Sequence, residues 1–190
     1  MKKFRRRGRQ IGTHLSAYEV SLLASLTSQL IELVAEDAPE LAEPGPPADP
    51  FEEWARELAV PPEGTAPPED PVLRRLFPDA YADDPVASAD FRRFTSRELR
   101  GKKVAEAQVV LAGLARTEGG THDLQIAADE IDAWLRTLTS LRLAVATRLG
   151  ITDAEAAEEL SQLDEDDPRA FMASVYDWLG FAEETLLSAL

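Results

Sequence analysis

The chain has 190 residues, of which 44% are hydrophobic, with a formal net charge of −15 and no cysteine. That length and apolar content suit one globular domain with a substantial core, and the missing cysteines exclude disulfides, thiolate metal sites, cysteine nucleophiles and thiol redox switches. No apolar run approaches the ~18 residues of a membrane span, and the basic start MKKFRRRGRQ lacks a following signal-peptide hydrophobic stretch, so a cytoplasmic protein without a membrane partner is expected.

Phe4 to Leu15 reads as a β-hairpin, with Gly8 in the turn and Ile11, Thr13 and Leu15 on one face. Ser16 and Glu19 have capping-box spacing, and Val20, Leu23, Leu26, Leu30, Ile31 and Val34 mark a helix over about 17–35. Eleven of the thirteen prolines then fall between Pro39 and Pro78 and interrupt regular structure, so residues 38–71 read as an exposed, acidic, Pro-rich arm. Within it, FEEWARELAV suggests a short helix at 51–59 that presents Phe51, Trp54 and Leu58 to the core or to a partner.

A short helix stops before Pro78, and Asp84 with Pro85 starts another to about Arg93. Thr95 and Glu98 form a second capping box for a helix at 96–115, facing Leu99, Val104, Ala107, Val110, Leu111 and Leu114 inward, until Gly119 and Gly120 end it. Residues 121–126 alternate as a third strand. Asp129 to Leu149 is the organising helix: Ile131, Trp134, Leu138, Leu141 and Val145 form its main stripe, and Leu135, Leu143 and Leu149 widen it. Gly150 stops it, Thr152 with Glu155 opens an acidic helix to about Leu163, and Asp167 with Pro168 opens the last, with Phe171, Val175, Trp178, Leu179, Ala182, Leu186 and Leu187 on a core face. The expected fold is mainly α: one domain over 1–190, a helical bundle around the long central helix, carrying a small antiparallel sheet.

Chemistry is sparse. His14 and His122 could meet as a metal pair, but neither has ligand spacing, and half-exposed strand residues are the better reading; no metal or cofactor is expected. Asp164 to Asp167 read as a solvated loop, and Glu183 and Glu184 cannot face the same way from one helix. No phosphate loop or nucleophile elbow occurs, so no enzyme is expected.

Charge is more informative. Residues 1–35 carry six basic against two acidic side chains and 91–150 ten against seven, whereas 36–90 total −12 and 151–190 total −10. Lys2, Lys3, Arg5, Arg6, Arg7 and Arg9 crowd the first strand, where they could contact phosphates or protect a sheet edge. In FRRFTSRELRGKK, the cations Arg92, Arg93, Arg97, Arg100, Lys102 and Lys103 surround a helix-turn-helix-like break at Phe94 to Ser96. This suits either a DNA groove or ion pairs to acidic segments. Arg136, Arg142 and Arg148 lie six apart, too far around the helix for one basic stripe, and read as separate ion-pair residues. The central helix's apolar stripe could extend into a homodimer interface.

Three blocks carry a resemblance: RLFPDAYADDPVASADFRRFTSRELRGKKVAEAQVVL, AWLRTLTSLRLAVATRLGIT and DPRAFMASVYDWLGFAEETLLSAL. Together they resemble an actinobacterial domain-of-unknown-function family that includes oxidative-stress transcriptional regulators of the AosR type. The likeness covers most of 72–190, the hairpin and LLASLTSQLIELV fit it, and the Pro-rich arm lies outside it. It implies a cytoplasmic regulatory protein, encoded in many relatives near the protease adaptor ClpS and a sulfur-metabolism cluster. Redox sensing by a cysteine pair does not transfer to a chain without cysteine, and Thr139 and Ser140 stand where relatives commonly show Asn and Asp. Two functional expectations follow. One is a non-enzymatic transcriptional regulator working through protein contacts with transcription machinery, with DNA contacts from the basic segments. The other is an acidic adaptor in protein turnover that binds no nucleic acid.

Overall fold

The computed structural model describes residues 1–36, 66–164 and 166–190. The predicted 51–59 helix and the residues Phe51, Trp54 and Leu58 lie outside the described residues. The elements are β1 (Arg5–Arg7), β2 (Gln10–Thr13), α1 (Ala17–Glu36), α2 (Pro71–Leu76), α3 (Pro85–Ala115), β3 (Leu124–Ala127), α4 (Ile131–Leu149), α5 (Ala154–Ser161) and α6 (Ala170–Leu187).

The sheet is antiparallel in the order β1-β2-β3, with Arg6 opposite Ile11 and Ile11 opposite Ile126. Gly8 takes φ +66° in the two-residue turn, matching a II′ hairpin with glycine first. Ile11, Thr13 and Leu15 are buried as the alternation requires. The capping box at α1 is reciprocal: the Glu19 N–H donates to Ser16 Oγ at 3.3 Å, and the Ser16 N–H donates to Glu19 Oε2 at 2.8 Å.

α4 is central. It packs against α6, α3 and α2, while α1 lies mainly along α3. Trp134, Leu138, Leu141 and Val145 are buried against Val110, Leu114, Val72, Leu73, Leu179 and Leu186. Gly150 closes the helix at φ +75° in the left-handed region, and Arg136, Arg142 and Arg148 each take a different partner, Glu106, Glu183 and Asp70.

Several boundaries differ from expectation. α3 is one continuous helix of 31 residues, so the break at Phe94 to Ser96 and its capping box do not form. Thr95 Oγ1 instead donates back to the Phe91 carbonyl at 2.8 Å, and no proline follows Pro85 to interrupt the helix. Asp153, rather than Thr152, caps α5 by accepting from the Ala156 N–H at 2.9 Å. His122 precedes β3 instead of lying in it. Leu99, Phe171 and Leu187 are exposed rather than core residues.

Candidate functional site

Losing the helix break redistributes the cations of α3. Arg100 is only 6% exposed: its guanidinium donates to the Val34 carbonyl at 3.2 Å and covers the Phe77 ring at 4.8 Å. Lys103 is half-buried, donating to Ser140 Oγ at 3.0 Å. Burial holds its pKa below the usual lysine range, opposed by Glu106 and reinforced by Arg136. Ser140 donates its own proton to the Arg136 carbonyl at 2.7 Å and is itself buried, so this Lys–Ser contact joins α3 to α4. Two of the six cations are thereby packing residues, and α3 lacks the turn that would set a recognition helix in a groove.

The outer half of α3 has a different character. Arg92 pairs with Asp79, Arg93 stacks over the Phe94 ring at 5.5 Å, and Arg97 and Lys102 are exposed. Among the described residues, nine large hydrophobic side chains are exposed, and five of them, Tyr81, Val86, Phe91, Phe94 and Leu99, fall between 81 and 99. Phe94 is 66% and Val86 73% exposed. At about 100° per residue, Phe94 points roughly opposite to the buried Ala107, Val110 and Leu114. Asp84 caps this end through the Val86 and Ala87 N–H groups, Ser88 donates to the Tyr81 carbonyl at 2.8 Å, and Tyr81 meets Phe91 edge-on at 6.3 Å. The result is an ordered ridge of aromatic and arginine side chains, the composition that protein interfaces favour at their centres. Sequence reasoning missed it because the expected break erased the helical phase that places Phe94 outward.

The second surface is the hairpin. Lys2, Lys3, Arg5, Arg6, Arg7 and Arg9 are all exposed. Arg6 donates to the Leu190 carbonyl at 2.5 Å, and Asp123 takes both Arg7, at 3.4 Å, and His14, at 3.1 Å. His122 lies beside Glu118, and no group of three or more His, Asp or Glu side chains suited to a metal occurs among the described residues.

A groove of about 320 Å³ runs between α1 and α4, floored by Leu30, Val72, Leu141 and Val145 and edged by Met172 and the Arg148–Asp70 pair. Its lining is mainly apolar, with Gln29, Glu32 and Arg148 as its polar residues. No described helix is long and apolar enough to cross a membrane.

The model of a family described as a domain of unknown function, DUF2017, matches residues 1–190. The chain is 27% identical over 197 residues to the oxidative stress regulator AosR of Mycobacterium tuberculosis (strain H37Rv), covering 97% of this chain and 84% of that protein, and equally similar to the regulator of that name in Mycobacterium bovis. A Mycobacterium leprae protein carrying the same name in provisional form is 29% identical over 189 residues, covering 93% of this chain and 80% of that protein. No solved structure matches.

Proposed function

The chain belongs to the DUF2017 family, and from that premise we propose that it is a non-enzymatic, cytoplasmic transcription regulator that works through protein contacts made by the outer half of α3. The observation that carries this reading is the ridge itself: exposed Val86, Phe91 and Phe94 interleaved with Arg93 and Arg97. Phosphate backbones have no use for exposed phenylalanines, whereas protein partners bury them. The relatives' names as regulators support the same assignment. With no cysteine in the chain, any response to oxidants proceeds without a thiol switch in this protein.

The test is capture of RNA polymerase holoenzyme by the full chain and by Phe94→Glu, an exposed substitution that leaves the core intact. The expected result is capture by the first and at least tenfold weaker capture by the second. Equal capture by both, or none by either, overturns the reading; recovery of protease components without polymerase subunits favours an adaptor of protein turnover instead. Sedimentation of the chain alone tests the remaining alternative, because a dimer dispersed by Phe94→Glu would assign the ridge to a second copy of the chain.

A further inference from the structure

The hairpin and the α3 ridge are both cationic, but they differ in one chemical respect. On the hairpin, Phe4 and Ile11 are buried beneath the ribbon, and the side chains exposed from Lys2 to Gln10 are polar or charged. Six of the first nine residues are cations, and no carboxylate residue precedes Glu19. A surface without apolar anchors is a poor centre for a protein interface and is well suited to a phosphate backbone, whose recognition is dominated by charge.

We propose that the free β1 edge and its turn are a contact for the phosphate backbone of duplex DNA, made by Arg5, Arg6, Arg7 and Arg9. Side chains alternate along a strand, so Arg5 and Arg7 leave one face of β1 and Arg6 the other, while Arg9 extends from the turn. Arg5 and Arg7 therefore stand on the face away from Ile11, and Arg6, opposite Ile11, reaches solvent past the free β1 edge. β2 is paired to β3 on its other side, so β1 is the edge of this ribbon that a phosphate backbone can approach. The contacts of Arg6 with the Leu190 carbonyl and of Arg7 with Asp123 are exposed, and phosphate oxygens can replace them.

Binding of this kind is sequence-independent and steep in salt, because each phosphate neutralised by a cation releases its condensed counterion. Four arginines on four phosphates give a slope of about −3.6 in log K against log salt, or roughly a 150-fold loss between 50 and 200 mM. This inference rests on the transcription-regulator reading only for its setting. It uses a different surface, so polymerase capture and DNA binding can fail separately.

The experiment is fluorescence anisotropy of the full chain on a labelled duplex of about 25 base pairs, for wild type, Arg5→Ala/Arg7→Ala and Arg5→Lys/Arg7→Lys. Circular dichroism establishes that each variant is folded. Expected are binding at 50 mM salt, the roughly 150-fold loss at 200 mM, a slope shallower by about 1.8 in the alanine variant, and retained binding in the lysine variant, because point charges suffice for phosphate. Absence of binding at 50 mM, an unchanged slope in the alanine variant, or displacement of the duplex by poly-glutamate at equal charge concentration overturns the proposal. The last outcome would assign the ribbon to an acidic polypeptide.

Discussion

Replacing Asp70 with alanine removes two contacts through one carboxylate. Its Oδ1 accepts the Val72 N–H at 2.6 Å and caps α2, while Oδ2 accepts from Arg148 Nη2 at 2.6 Å and ties that cap to the end of α4. An N-cap is worth about 1 kcal/mol. A partly exposed ion pair is worth about 0.5 kcal/mol. Asp70→Ala should therefore cost about 1.5 kcal/mol and lower Tm by about 3–6 °C for a chain of this length. Asparagine keeps a cap acceptor and loses only the pair, so Asp70→Asn should cost about 0.5 kcal/mol. Burial pushes the Asp70 pKa up, but the hydrogen bonds from Arg148 and Val72 outweigh it and hold the carboxyl below its usual range. A carboxylate depressed in the folded state stabilises above its unfolded pKa, and that stabilisation disappears as pH falls through the folded value. Guanidinium titrations at pH 7 and at several steps below about pH 5 measure both effects. Equal losses for the two variants would refute the cap argument. A wild-type curve no steeper in acid than that of Asp70→Asn would refute the charge argument.

Lys103→Met should remove a pH dependence of the same sense, displaced to alkaline pH. Because burial depresses the lysine's folded pKa, the unfolded chain binds its proton more tightly, so wild-type stability gains a contribution as pH rises from the folded pKa towards the ordinary lysine value. Denaturation midpoints across alkaline pH should show that rise in wild type and its loss in the variant. Leu179→Ala empties a side-chain position with no exposure and should cost about 2–5 kcal/mol by chemical denaturation. Gly120→Ala places a Cβ 2.8 Å from the Leu15 carbonyl oxygen at φ +89°, and should cost about 2 kcal/mol, read as a lowered Tm without loss of helix at room temperature.

Elements whose periodicity and punctuation agree were legible in the sequence. The central helix, with its stripe from Trp134 to Val145 and its Gly150 stop, is one; α1, opened by Ser16 and Glu19, is another. The third strand was legible in its pairing with the hairpin and less so in its limits, because His122 alternates with Leu124 yet precedes the ladder. Thr95 misled because a hydroxyl followed three residues later by a glutamate marks a helix start only when the preceding backbone is not already helical. That misreading carried into the candidate site. With the break assumed, Arg100 and Lys103 read as surface cations, whereas continuing the phase of Ala107 and Val110 back through Gly101 turns Arg100 inward and Phe94 outward. Burial of Arg100 on a carbonyl and an aromatic face has no local signature, since its partners Val34 and Phe77 are distant in sequence.

The long α3 helix has two unequal halves. Among the described residues, Arg100 and the later Ala107, Val110, Gly113 and Leu114 are buried, whereas Ser88 is the one buried position before Arg100. A rod anchored this way frays from its outer end, and the turns carrying Phe91 and Phe94 can lose helical order while the bundle stays folded. Mild warming or low denaturant should then silence docking on the ridge before any global transition registers. Functional inactivation and unfolding would be two separate events in this molecule.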